Sequence, residues 1–451
     1  MIKSSALCRR RWLLAFGLVL FLALPSFGQR TGYPSEEFVQ RRQTLMTKVG
    51  EGMIILFGEV VAPPGHHFRQ DNDFYYFTGV EDAGAVLVMT PGTGESFLFL
   101  PRQTPREEMM EGPNLLQDPK AAQRLGFKEI YEVTFFDEFI ARNAFHFNEV
   151  LYVRLSPRDT VDSARWESEI FVARKSRLHY NDQISLDHYR FEKLRQRYPV
   201  CAFRDVVPFI DALRVIKTPA EIEILRRNGR ISAEAVKQAM LTSRPGVFEY
   251  EVEASAMQVI LKNGARGAAY PPIVGSGPNT CILHYEKNSR RVEEGDLILM
   301  DFGADLDYLC MDISRTWPVS GKFTPEQRQV YEIVLEVQKA CIEAYRPGVT
   351  AADVQKHVAE VMKKKGLDTR GQRGGIGHYV GLATHDVGPR GVPLQEGMVF
   401  AIEPGLYYPE KKIGVRIEDT VLITKDGCEV LTKDVPKEIE EVERLLARRG
   451  R

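Results

Sequence analysis

LILMDFGADLDYLCMDISRTW, residues 297–317, starts as an apolar strand, ends that strand on Asp301 and sets a second acid, Asp312, a short way downstream. MVFAIEPGLYYPEKKIGVRIEDT, residues 398–420, repeats the pattern: an apolar run leads into Glu403, and Glu418 follows. Between the two stretches His378 stands in GGIGHYVG. Short apolar runs of this kind read as buried strands, and a buried carboxylate is costly unless it is paired or bound to metal. In the competing reading each acid pairs with an arginine, since Arg315 and Arg416 are close in sequence. For one acid that reading is competitive. Four acids and an imidazole form a hard, oxygen-rich set that fits a pair of divalent ions better than a Cys-rich structural zinc. A metal-dependent hydrolase is the expectation.

The two stretches belong to a longer repeat. Arg244-Pro245-Gly246-Val247 recurs as Arg346-Pro347-Gly348-Val349, 102 residues on, and Glu294-Gly295 recurs as Glu396-Gly397 at the same offset. Asp301 and Glu403 follow those glycines at equal distance. His284 has a near counterpart in His385, and Asp312 matches Glu418 if a longer loop absorbs the drift. At the same offset His378 meets Ser276 and has no partner. We therefore expect two related α/β halves facing each other across a pseudo-twofold axis, each with a strand pair carrying two carboxylates. Capping boxes at Thr218-Pro219-Ala220-Glu221 and Thr324-Pro325-Glu326-Gln327 open a helix in each half. Arg416 and Glu418, two apart on an expected strand, face the same side, so Arg416 is expected to orient a metal ligand. The glycines around His378 (Gly374, Gly375, Gly377, Gly381) allow close backbone approach. His284 in ILHYEKN and His385 in ATHDVG are candidates for contact with the reacting group. GSGPN at 275–279 lacks the Lys-Ser/Thr of a P-loop, and the chain has no GxSxG elbow.

Working outward, 451 residues allow two domains with full cores. A formal charge of −1 without a basic block argues against nucleic acid as a partner. Residues 1–28 read as a signal peptide: Lys3, Arg9, Arg10 and Arg11 form a basic start, residues 12–24 an apolar run, and Ser26-Phe27-Gly28 a small-x-small cleavage site. The apolar run is too short for a comfortable membrane span. Export to a periplasmic or secreted location, with no stable membrane anchor after cleavage, is the expectation. Residues 29–205 alternate strand-like runs (MIILFG, AVLVM, SFLFL, VLYVRL) with helical ones, giving an α/β domain, and residues 206–451 carry the repeat. His66-His67, near Asp71 and Asp73, read as loop or interface residues. Five cysteines beyond Cys8 have no regular spacing and describe no disulfide framework; most read as small buried hydrophobes.

IVGSGPNTCILHYEKN, MDFGADLDYLCMDISRTWPVSGKFTPEQRQVYEIV, GIGHYVGLATHDVG, EPGLY and GVRIEDTVLIT, in this order, resemble the pita-bread metallopeptidases of the Xaa-Pro aminopeptidase (aminopeptidase P) and prolidase branch. FRQDNDFYYFTGVEDAGAVLVM at 68–89 resembles the family's N-terminal accessory domain. The resemblance implies an α/β accessory domain before an α+β pita-bread catalytic domain. It implies two divalent ions, most often manganese with zinc or cobalt as alternatives, held by Asp301, Asp312, His378, Glu403 and Glu418. It implies proline-containing peptides as substrates, Glu403 as general base and proton shuttle, and His284 and His385 as substrate-binding and catalytic groups. A homodimer or homotetramer is also implied. A further histidine four residues before the metal histidine is common in this branch, and here Gly374 stands there. The readings left open are an Xaa-Pro aminopeptidase, an Xaa-Pro dipeptidase, and a non-peptidase or binding member of the fold.

Overall fold

The apolar runs before residue 206 become β1 (Met53–Phe57), β2 (Val86–Thr90), β3 (Glu95–Leu100), β4 (Glu129–Glu132), β5 (Val150–Val153) and β6 (Ala202–Asp205). In the computed structural model they form one mixed sheet in the order β4-β3-β2-β1-β5-β6. The pairings among β1, β2 and β3 are antiparallel, and those of β3 with β4 and of β5 with β1 and β6 are parallel. Successive side chains of β1 alternate between two cores: Ile54 and Leu56 enter one, Met53 and Ile55 the other. Both faces are thus covered, which is why the run is apolar throughout instead of alternating. The structure describes residues 32–62, 67–144, 150–177, 184–367, 372–373 and 377–449. Residues Gly32–Arg451 form one compact unit. The expected signal peptide, His66 and Gly374 lie outside the described residues. Among those described, all five cysteines are free, and no helix is long and apolar enough to cross a membrane.

The rest of the chain is built twice. The first half supplies β7 (Gly267–Ala268), β8 (Ile273–Ser276), β9 (Leu297–Asp301), β10 (Ala304–Leu306), β11 (Leu309–Cys310) and β12 (Ser314–Pro318). The second supplies β13 (Gln372–Arg373), β14 (His378–Tyr379), β15 (Val399–Ile402), β16 (Gly405–Tyr408), β17 (Ile413–Arg416), β18 (Asp419–Ile423) and β19 (Cys428–Val430). The sheet β12-β9-β8 matches β18-β15-β14, which gains β19 at its edge, and β11-β10-β7 matches β17-β16-β13. Both expected capping boxes form, at Thr218 for the helix Pro219–Thr242 and at Thr324 for the helix Pro325–Ala344. The turns repeat bond for bond. Gly246 N–H donates to Val292 O at 2.8 Å and Gly348 N–H to Leu394 O at 2.9 Å. Both glycines adopt positive φ, 92° and 87°, which a side chain would strain.

The strand register corrects part of the expected correspondence. Asp301 pairs with Ser314 and Asp305 with Cys310, so β9 and β10 keep a single register against β12 and β11 across the gap between the two ladders, which sets Gly303 opposite Asp312. In the second half Gly405 pairs with Arg416 and Ile402 with Asp419, which sets Glu403 opposite Glu418. Asp301 and Glu403 remain equivalent. Asp312, however, corresponds to Arg416, and Glu418 corresponds to Ser314. Half of the drift between Asp312 and Glu418 is the expected longer loop, since residues 409–412 join β16 to β17 where only Asp307 and Tyr308 join β10 to β11. The other half is a shift of two residues along the strand, which keeps the same face. His378 pairs with Ala401 where Gly275 pairs with Leu299, so its counterpart is Gly275 and not Ser276.

Asp71 and Asp73 belong to a buried ionic network. Asp71 caps the helix Asn72–Thr78 by accepting from Phe74 N–H at 3.0 Å, and Arg154 donates to it at 2.7 Å. Asp73 accepts from Arg154 (2.9 Å), Arg165 (2.9 Å) and Arg214 (2.8 Å). Arg214 also reaches Asp159 at 2.6 Å and Asp386 at 2.5 Å. His67 is exposed in the preceding loop.

Candidate metal centre

Each candidate ligand sits at a strand end, where the ladder stops and side chains turn inward. Asp301 ends β9, Asp312 lies between β11 and β12, Glu403 follows β15, Glu418 precedes β18 and His378 begins β14. The strand expected to carry both Arg416 and Glu418 breaks between them, yet both side chains line the same cavity. Gly377 admits His378: its φ is 75°, and a Cβ there would stand 1.5 Å from Ala401 O. All five candidates share one cavity of about 230 Å³ with His284, His385, Tyr407 and Arg416.

Ligand atoms of Asp312, His378 and Glu418 come within 4.8 Å of one another. The Nδ1 of His378 lies 3.1 Å from Tyr379 O. Donation there directs Nε2 at the acids, 3.4 Å from Asp312 Oδ2 and 3.9 Å from Glu403 Oε1, where a metal ion would take the place of its proton. Arg416 donates three ways: Nη2 to Asp301 Oδ2 at 2.6 Å, Nε to Ser314 Oγ at 2.7 Å and Nη1 to Tyr407 OH at 3.1 Å. Ser314 passes the contact on, donating to Glu418 Oε2 at 2.7 Å. The Tyr270 hydroxyl stands 2.6 Å from both Asp301 Oδ1 and Asp312 Oδ1. Beyond this cluster, His385 Nδ1 lies 2.7 Å from Glu167 Oε1, and its ring centre is 4.2 Å from that of His378.

The electrostatics follow from this crowding. Burial raises the pKa of Asp301, Arg416 draws it down, and the neighbouring Asp312 and Glu403 push it up, leaving it at about 7. Glu418 is lifted well above the carboxylate range by burial and then by Asp312, Asp301 and Glu403. Burial also disfavours charged Asp312, but its contact with His378 outweighs this and lowers its pKa. Burial works against charge on His378 too, and Asp312 and Glu403 raise it to about 9. Carboxylates packed this closely, with one guanidinium to offset them, make a site that favours added positive charge. Oxygen donors with one imidazole nitrogen suit hard divalent ions. The donor set fits the expected metals.

A second cavity of about 590 Å³ adjoins the first and shares His378, His385 and Glu403 with it. Tyr345, Val387, Leu394 and Phe400 give it apolar walls, and Trp166 and Glu167 enter from the N-terminal half. Its volume is in the range of small-molecule binding clefts.

Residues 223–425 match the Metallopeptidase family M24, and residues 38–152 match the Aminopeptidase P, N-terminal domain. The Xaa-Pro aminopeptidase of Escherichia coli (strain K12) is 35% identical over 91% of this chain and 97% of its own length. The chain belongs to the M24 metallopeptidase family. A putative aminopeptidase P from Bacillus anthracis has the same fold, with a TM-score of 0.81 at 31% identity, over 92% of this chain and 99% of the other. An Xaa-Pro dipeptidase of Pyrococcus furiosus is 39% identical, but over 55% of this chain and 72% of its own length. The duplicated half-sheets are accordingly the pita-bread catalytic fold, and the six-stranded sheet belongs to the accessory domain. M24 membership implies divalent metal.

Four residues of this M24 site escaped the sequence. Ser314 was within reach, because it lies two residues from Asp312 and faces the same way. Tyr407 and Tyr270 had no local signal, since hydroxyls near acids are commonplace. Glu167 sits in another domain, and no pattern links it to His385.

Proposed function

We propose that this protein is an exported metal-dependent aminopeptidase that hydrolyses the bond between an N-terminal residue and a penultimate proline. The observation that carries the reading is likeness to a curated Xaa-Pro aminopeptidase over 91% of this chain, accessory domain included. Asp301, Asp312, His378, Glu403 and Glu418 would hold two divalent ions, manganese by preference. Bound, the ions supply Lewis-acid polarisation of the scissile carbonyl and make the attacking water acidic enough to react near neutral pH. Glu403, with its side chain 33% exposed, is open enough to take a proton from that water and pass it on. Arg416 keeps Asp301 oriented and favours its charged form. His284 and His385 approach from separate loops, steady the oxygen that gains charge and deliver a proton to the departing proline nitrogen. The adjoining apolar cavity accommodates substrate side chains.

The second reading, an Xaa-Pro dipeptidase, is favoured by the higher identity of the dipeptidase over the shared half. Rates on Xaa-Pro and Xaa-Pro-Yaa peptides, measured with manganese-loaded mature protein, separate the two. Faster cleavage of the longer peptides supports the aminopeptidase, and activity confined to dipeptides overturns it. No metal-dependent cleavage of either removes both. Export is tested by cell fractionation with N-terminal sequencing, where a mature chain starting at Gln29 is the expected result. The expected homodimer or homotetramer is tested by sedimentation.

A further inference from the structure

Three consecutive residues of the catalytic domain are tied to the N-terminal half of the chain. Thr384 N–H donates to Val161 O at 2.8 Å. His385 Nδ1 meets Glu167 Oε1 at 2.7 Å. Asp386 pairs with Arg214 at 2.5 Å, and Arg214 is joined through Asp73 and Asp159 to Arg165, two residues before Glu167. Glu167 is itself fixed at both oxygens. Its Oε2 accepts the Ala164 N–H at 2.8 Å, closing the first turn of the helix Arg165–Lys175, while Oε1 is left for the histidine. The carboxylate therefore cannot swing away without uncapping its own helix.

We propose that Glu167 is a positioning residue for His385. By accepting the Nδ1 hydrogen it fixes both the ring plane and the tautomer, so that Nε2 is presented to the cavity. This is the orienting role a carboxylate plays beside a working imidazole, here from a partly buried side chain. Helix capping alone needs only Oε2 and does not account for the bond to His385. The accessory domain thereby contributes to the chemistry and does more than wall the cleft. The catalytic consequence rests on the function proposed above.

The test uses the full mature chain with Glu167→Ala, Glu167→Gln, His385→Ala and the double variant Glu167→Ala/His385→Ala. Glu167→Ala is expected to lower kcat by about tenfold to a hundredfold with little change in KM. In the His385→Ala background the same change should alter kcat by less than about twofold, because the interaction is already gone. Glu167→Gln has one acceptor for two N–H groups and should fall between wild type and Glu167→Ala, which keeps the test open if the alanine variant folds poorly. Independently of turnover, protein labelled with nitrogen-15 histidine at mildly alkaline pH should show a protected Nδ1–H signal that is absent from His385→Ala and lost in Glu167→Ala. Wild-type kcat in both Glu167 variants, multiplicative losses in the double variant, or an Nδ1–H signal that survives Glu167→Ala each overturns the proposal. Failure of the wild-type chain to cleave any Xaa-Pro substrate instead overturns the function, and the histidine signal still decides the positioning.

Discussion

Arg416 serves Asp301, Ser314 and Tyr407 through three different nitrogens, a geometry a lysine ammonium cannot reproduce. Arg416→Lys should therefore lower kcat/KM about tenfold to a hundredfold while the chain stays folded, as checked by steady-state kinetics beside thermal unfolding. Tyr270 makes the complementary case. Its hydroxyl stands between Asp301 and Asp312, and it holds their facing oxygens at a common distance. Tyr270→Phe removes that donor and leaves the ring. We expect metal affinity to weaken by about tenfold, read by competition with a chelator of known affinity. An unchanged affinity would mean the ladder alone fixes both acids.

At the scale of elements, the loop that carries His284 is hung on one carboxylate. Glu249, fully buried at the start of the helix Glu249–Lys262, accepts from Ser276 N–H and Oγ (both 2.7 Å) and from Asn279 Nδ2 (3.1 Å). It also accepts from Tyr285 OH and Arg290 N–H, both at 2.8 Å. Glu249→Ala strands several buried donors at once and should cost about 3 kcal/mol or more in urea unfolding. Limited proteolysis should then cut first within residues 277–290. On the opposite wall, Gly377→Ala drives a Cβ into Ala401 O at a positive φ. Strand β14 should be displaced and metal binding by His378 lost with it, which metal analysis of the purified variant checks.

For the molecule as a whole, the network of Arg154, Arg165, Arg214, Asp73, Asp159 and Asp386 bolts the accessory domain to the catalytic one. Burial pushes the Asp73 and Asp159 carboxyls up, but the surrounding guanidinium groups outweigh it and leave both below the ordinary range. Carboxylates lowered in this way stabilise the fold at every pH above the unfolded-chain value of about 4, and that contribution drains away as pH falls through the lowered values. The contribution of these groups to the unfolding free energy should thus be independent of pH near neutrality and drop steeply in acid. Asp73→Asn leaves three arginines facing less negative charge and should cost about 3–5 kcal/mol at neutral pH, with a shallower acid slope. Denaturant unfolding across pH checks both parts.

The sequence by itself determined the strands that end in acids, the two halves and the five candidate ligands. Those features are local: apolar runs, turn glycines and capping boxes recur at a fixed offset because each half must fold through the same turns. The tertiary structure alone decided which positions correspond. Asp301 and Glu403 are true counterparts, whereas Asp312 matches Arg416, Glu418 matches Ser314 and His378 matches Gly275. A count along the chain cannot see a two-residue shift that preserves the face of a strand; only hydrogen-bond register reveals it. The same limit hid Glu167 and the arginine network, because a bond between His385 and a residue 218 positions away exists only once the chain has folded.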